Sequence, residues 1–324
     1  MQRLFENVFM LEGEIGGRPL QLTYLKGSEA SMLLDTGCAA DPRQVIAPQI
    51  QEAGGNIKDL DWILSTHPDL DHIGGNHAAK QLAQRALLAC GDADRHICTG
   101  LDGLLEYRYD IYRTDHQIFL SEDKLARMKA LAGPSQAIDV TFRGGEHVRL
   151  APDWEVEVMA VPGHAKGHLA VYDPGHKALY GADAIHGSVY MCLDGTAKFC
   201  PTYADIDDYL STIQLIEHMP ITTYVGCHWP VKKDGQIAEF CSESRNFVDK
   251  ADTLMLSLLT KPHSLREICE QLGPQLGEWP RPVDMELVPA LDGHIKRGLS
   301  RGKLRANVRT ESPRLLEFVL SKFA

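Results

Sequence analysis

The chain of 324 residues contains no run of roughly 20 apolar residues, the length that a membrane-spanning helix requires. Its start, Met1-Gln2-Arg3-Leu4-Phe5-Glu6, carries no apolar leader and no small-residue cleavage site, so no targeting segment is expected. There is no Cys-x-x-Cys pair. The eight cysteines (Cys38, Cys90, Cys98, Cys192, Cys200, Cys227, Cys241 and Cys269) are scattered, which predicts reduced thiols and a cytoplasmic location, not a disulfide framework. Internal repeats and low-complexity tracts are absent. So is any excess of positive charge: a formal net charge of −11 argues against a general nucleic-acid binder, because phosphate affinity rests on clustered Lys and Arg. A small nucleotide or phosphoester held by a metal stays open. With 44% apolar and 24% charged residues, the composition is that of an ordinary soluble globular protein.

The length allows one large α/β domain with a small appendage. Short β-rich runs open the chain, and Ser31-Met32-Leu33-Leu34 is an apolar strand that delivers Asp35 to a Gly turn. A helix near 42–53 and a buried strand, Trp62-Ile63-Leu64-Ser65, come next; a second helix is expected over about 76–86. Residues 92–140, rich in Tyr, Asp, Arg and Leu, read as a helical insertion over the site, where substrate-contacting groups often sit. Strands return at 155–161, 169–172, 178–180 and 222–226. After about Glu243 the pattern turns helical, with an amphipathic stretch over 249–259, a Ser264-x-x-Glu267 capping box and a further helix over 289–299. A Gly-containing hairpin follows, suggesting a small winged-helix-like unit. The expected division is a catalytic domain over 1–242 and an accessory unit over 243–324.

The chemistry concentrates in His67-x-Asp69-x-Asp71-His72, directly after a buried strand. Alternate residues on an extended loop point the same way, so positions 67, 69 and 71 can converge, with His72 turned to a neighbouring point. Imidazole nitrogen and carboxylate oxygen are ligands for Zn²⁺, Fe or Mn. Four such groups in six residues would be costly to bury without a cation.

From Thr66 to His72 the loop resembles the Thr-His-x-His-x-Asp-His loop of the metallo-β-lactamase-fold superfamily, with Asp69 where that family usually has His. Further elements follow in family order: Pro162-Gly163-His164-x-x-Gly167-His168, Tyr180-Gly181-Ala182-Asp183 and Gly226-Cys227-His228, with Asp35-Thr36-Gly37 upstream. The resemblance spans roughly residues 5 to 240 and implies a four-layer αββα sandwich around two divalent metal ions. It further implies that His67, Asp69 and His164 hold one metal, that Asp71, His72 and His228 hold the other, and that Asp183 bridges them. Asp35 would orient the ligand loop from behind. Zinc is the expected metal, while the harder carboxylate at position 69 tilts the site toward Fe or Mn; flavo-diiron oxygen reductases of this superfamily carry an acidic residue there.

A metal pair of this kind implies a hydrolase that presents a metal-bridging hydroxide to a small ester-like substrate: an ester, lactone, thioester or cyclic amide. Asp71 is the expected catalytic residue, orienting the nucleophile or shuttling its proton. Phosphodiester or nucleotide hydrolysis is the alternative on the same metals, and a di-iron oxidoreductase a third. Several side chains admit blander roles. His168 suits either a supporting position behind the ligands or a structural one, His186 a surface loop, and His77 the helix after the ligand loop. Tyr190, Tyr107, Tyr109 and Tyr112 suit packing, and Cys38 and Cys227 suit small buried hydrophobes. The basic run from Lys296 to Arg305 could bind DNA in a regulatory protein, but a solvated or packing face on an accessory unit, or a homodimer contact, is the favoured reading.

Overall fold

Residues 1–281 and 283–321 are described by a computed structural model; positions 322–324 of the expected C-terminal unit lie outside them. One sheet takes seven strands in chain order: β1 (Gln2–Phe5), β2 (Val8–Ile15), β3 (Arg18–Lys26), β4 (Ser31–Leu34), β5 (Trp62–Ser65), β6 (Leu87–Gly91) and β7 (Val140–Phe142). Hairpin connections keep β1 to β4 antiparallel, whereas helical crossovers make β4, β5, β6 and β7 parallel.

A second sheet is built from β8 (Glu146–Ala151), β9 (Trp154–Ala160), β10 (Leu169–Asp173) and β11 (Ala178–Ala182). A small hairpin, β12 (Tyr190–Met191) with β13 (Ala197–Phe199), precedes β14 (Thr223–Gly226), which joins this sheet parallel to β11, and β15 (Lys232–Lys233).

Strand alternation explains the layering. Met32 and Leu34 point between the sheets, against Val156, Val158 and Val171, while Leu33 points outward against Ile46 and Ile50. The outer face of the second sheet, through Leu179 and Tyr224, packs on the helix Ile206–His218 by way of Tyr209 and Ile213. Two sheets covered on both outer faces by helices make the αββα sandwich. Among the described residues no helix is long and apolar enough to cross a membrane.

The helix Gly235–Leu258 runs through residue 242 without a break, so the expected division falls inside a continuous element. Its pattern begins before Asp249 because Ile237, Phe240 and Cys241 already face the core. The tail adds the capped helix Leu265–Leu276, the helix Val288–Ser300, and a three-stranded sheet of β16 (His263–Ser264), β17 (Leu304–Arg309) and β18 (Leu315–Leu320) in the order β16-β18-β17. Leu265, Ile268 and Leu291 share one apolar cluster with Tyr209 and Leu179, so this winged-helix-like unit and the sandwich have a common core. The basic run is largely tied down within the chain: Arg297 and Arg301 pair with Asp207, and Lys296 with Asp292.

Residues 101–131 form short helical pieces wedged between the ligand loop and the tail. Leu104 and Met128 pack on Leu70, while on the other flank Lys124 pairs with Glu286 and His116 lies against Phe318. The Lys124–Glu286 pair is partly exposed, so Lys124→Met should lower global stability by no more than about 1 kcal/mol. Its effect should instead be local, as faster protease nicking or amide exchange within 101–131. Unchanged protection there would show that the pair does not fasten the segment.

Candidate metal centre

Parallel neighbours deliver their following loops to the same end of a sheet. The strands β4 and β5 therefore bring Asp35 and the Thr66–His72 loop together, and β11 and β14 bring Asp183 and His228 to the same region from the second sheet. The β11–β14 register shifts between Tyr180 and Ala182, and Ala182 takes φ 45°, a conformation non-glycine residues seldom hold. That kink ends the strand immediately before Asp183. Asp35 also has a left-handed backbone, at φ 64°, which turns its carboxylate back under the ligand loop.

Four imidazoles are arranged alike. In each, Nδ1 is engaged by the scaffold: His67 with Thr66 Oγ1 at 3.1 Å, His72 with Asp35 Oδ2 at 2.8 Å, His164 with the Thr202 carbonyl at 3.1 Å and His228 with the Pro19 carbonyl at 2.6 Å. Each Nε2 is thereby directed inward, the pattern by which supporting groups fix a metal-binding imidazole's tautomer and orientation. Asp35 holds the loop together, accepting from the Thr66 amide at 2.7 Å, from Thr66 Oγ1 and from His72.

The inward atoms fall into two groups. His67, Asp69 and His164 form one, with Asp69 Oδ2 3.0 Å from His164 Nε2 and 3.7 Å from His67 Nε2. His72, Asp183, Cys227 and His228 form the other. Asp183 also groups with His164 and His186, which places it between the two sets. Asp71 joins the second set through His228 Nε2, 3.2 Å from its Oδ2, and Arg18 lies 3.8 Å from the same oxygen. The buried atoms His67 Nε2, His72 Nε2 and Asp183 Oδ1 have no hydrogen-bond partner within the protein. Desolvated polar atoms without partners are costly, and a cation shared among them resolves that cost. The residues fit divalent metal.

The electrostatics divide the site. Burial tends to lower His72 and His228, but Asp35 and Cys227 beside the first, and Cys227 and Asp183 beside the second, raise both above the ordinary histidine range. The first set behaves differently. Burial, then the crowding of neighbouring imidazoles, pushes His67 well below the ordinary histidine range, leaving its nitrogen unprotonated and open to a metal. Burial tends to raise the Asp69 and Asp71 carboxyls, but Arg108 beside the first and His228 beside the second hold both below the usual carboxylate range.

A model of the Metallo-beta-lactamase superfamily matches residues 16–228. This chain belongs to that superfamily. A human acyl-coenzyme A thioesterase is 22% identical over 216 residues, covering 62% of this chain and 68% of the relative. A hydroxyacylglutathione hydrolase of Bdellovibrio bacteriovorus is 26% identical over 204 residues, covering 63% and 61%. In structure, the chain resembles a metallo-beta-lactamase family protein of Thermus thermophilus at TM-score 0.74 and 16% identity, over 98% of this chain and all (100%) of the other. A beta-lactamase domain protein of Burkholderia ambifaria follows at TM-score 0.71 and 15% identity, over 99% and 93%. These two likenesses speak to fold, and both extend through the tail. With relatives named thioesterase and hydrolase, the chain stands among the superfamily's hydrolases.

All seven expected ligand residues meet in this region, with Asp35 behind them. His168 is fully buried and stacks on His67, ring centroids 4.6 Å apart. Three expectations need correction. His186 is not on a surface loop: it is fully buried, neither ring nitrogen has a hydrogen-bond partner, and its ring lies 4.9 Å from that of His164. Tyr190 does more than pack, because its hydroxyl donates to Asp183 Oδ2 at 3.2 Å. Cys227 stands among the inward groups of the second set, where burial tends to raise its thiol but His228 and His72 draw it down. His77 does belong to the helix Asn76–Leu82, bonded to Gln81. Missed altogether was Arg108, inside the insertion, whose guanidinium reaches both Asp69 and His164.

Proposed function

We propose that this chain hydrolyses small ester-like acyl substrates, acyl thioesters first, at a centre of two divalent ions. The observation that carries it is the shared geometry of four imidazoles, each anchored at Nδ1, whose Nε2 atoms surround one space with Asp69, Asp71 and Asp183. His67, Asp69 and His164 would hold one ion; His72, Asp71 and His228, with Cys227 in reach, would hold the other, and Asp183 would lie between. A donor set of nitrogen, carboxylate and thiol suits zinc, with iron or manganese as alternatives. When bound, such ions lower the pKa of a coordinated water and polarise an acyl oxygen.

The protein's own groups do the rest. Asp71 would hold and pass on the proton of the attacking water. Tyr190 fixes the Asp183 carboxylate through its hydroxyl, and Asp35 fixes His72 and Thr66. Both relatives' names describe acyl-thiol substrates, which favours thioesters over lactones or cyclic amides. The insertion over 92–140 and the unit over 243–324 would then choose the acyl carrier, since loops on this kind of scaffold set specificity. The scattered cysteines suit a reducing, cytoplasmic setting.

The test is hydrolysis of an acyl-coenzyme A, an S-acylglutathione, an aryl ester and bis(p-nitrophenyl) phosphate by protein reconstituted with Zn²⁺, Mn²⁺ or Fe²⁺. Faster turnover of the thioesters, lost with a chelator and restored by metal, is the expected result. Preference for the phosphodiester would overturn it, and O₂ consumption by the iron form without hydrolysis would point to oxidoreductase chemistry instead.

A further inference from the structure

The insertion sends one side chain into the ligand set. Arg108, on the segment Leu105–Tyr109, places Nε 3.0 Å from Asp69 Oδ1 and one terminal nitrogen 3.4 Å from Asp69 Oδ2. That terminal nitrogen also lies 3.3 Å from His164 Nε2, while the other donates to the His164 carbonyl at 3.2 Å. His164 Nδ1 faces the Thr202 carbonyl and must carry the hydrogen. Its Nε2 lies 3.0 Å from Asp69 Oδ2 and 3.3 Å from the guanidinium, so the three groups close on one point. The nitrogen and the carboxylate that would grip an ion are both held against a cation that the protein itself supplies. The second set has a guanidinium beside it as well, but Arg18 stands 3.8 Å from Asp71 Oδ2, beyond hydrogen-bond distance, and His72 Nε2 and Asp183 Oδ1 remain unpartnered there.

We infer that Arg108 and a metal ion compete for the same place, so that the chain holds one divalent ion firmly at His72, Asp71 and His228, with Asp183 beside them, and admits a second at His67, Asp69 and His164 only when Arg108 withdraws. The acidic residue at position 69 fits this arrangement. A carboxylate meets a guanidinium with opposite charge and two acceptor oxygens, which a neutral imidazole there could not. Burial of both partners strengthens the competition, since their side chains are only 16% and 19% exposed and little solvent screens the pair. This inference rests on the reading of the site as a metal centre and adds an order of filling to it.

Metal-free protein is titrated with Zn²⁺ by calorimetry, and retained zinc is counted after gel filtration, for the natural chain, Arg108→Met and Arg108→Lys. The natural chain should keep one ion per chain and bind a second weakly. Arg108→Met should keep two, the weaker affinity rising at least about tenfold because no guanidinium has to be displaced from Asp69 first. Arg108→Lys retains charge but loses the planar fork, and should fall between them. Circular dichroism checks that each variant is folded; if Arg108→Met is not, the lysine variant and the natural chain's own stoichiometry decide. Two ions held equally tightly by the natural chain, or a weaker affinity that neither substitution changes, would overturn the inference while leaving the metal centre intact. No retained zinc in any of the three would remove the metal centre and the inference together.

Discussion

Asp183→Asn is expected to lower kcat/KM on an acyl thioester by roughly 1000-fold, because metal activation contributes several kcal/mol to such a transition state. The substitution nearly conserves volume, and the amide can still accept from Tyr190, so the fold should survive. What it removes is charge at the residue that groups with the histidines of both sets. Bound metal should fall in parallel, which separates loss of the ion from loss of substrate binding. KM should move less than kcat. A variant within about tenfold of the natural activity would mean that Asp183 is not shared between the sets.

Asp35→Asn should give the second largest effect, on stability and metal affinity together. Its carboxylate is buried and accepts from the Thr66 amide and hydroxyl and from His72. An amide in its place must aim its NH₂ at one of those donors, with a cost of about 2–3 kcal/mol for a lost charge-assisted hydrogen bond. Metal affinity should drop about 10- to 100-fold, the usual consequence of removing a group that orients a metal-binding histidine. Asn tolerates the left-handed backbone at this position, so the substitution isolates charge; Asp35→Ala should cost about 1 kcal/mol more through strain. Urea denaturation of the metal-free protein and zinc calorimetry read the two effects separately. Natural stability in Asp35→Asn would mean that the carboxylate does not hold the loop.

Much of this centre was legible because its parts are local. His67, Asp69, Asp71 and His72 lie within one short loop after an apolar strand, and His164, Asp183 and His228 each follow a recognisable strand or turn pattern. The strands were legible for the same reason, since alternation and apolar runs mark them, while their arrangement as a four-layer sandwich came from the family resemblance of the loops. What stayed hidden depends on distance. Arg108 sits in an irregular helical stretch with no period of its own, and only the packing of Leu104 and Met128 against Leu70 brings it over Asp69. His186 follows Asp183 closely, but nothing local reveals that Tyr190, Tyr209 and Trp229 close around it. The amphipathic stretch expected over 249–259 is only the later part of the helix Gly235–Leu258, whose first turns bury one apolar stripe against the sandwich and the later ones against the tail. A change of partner along one helix leaves a weaker pattern than a single continuous face.

The insertion that carries Arg108 is fastened on two flanks, by Leu70 beside the ligand loop and by Glu286 and Phe318 of the tail. A segment clamped between two bodies takes its position from both. Substitutions at Glu286 or Phe318, far along the sequence from every histidine of the centre, are therefore expected to act mechanically, by changing how tightly the arginine is pressed home. Related chains could retune metal occupancy there without touching a single ligand. In engineering terms, the tail is the adjusting screw and the ligand loop the fixed jaw.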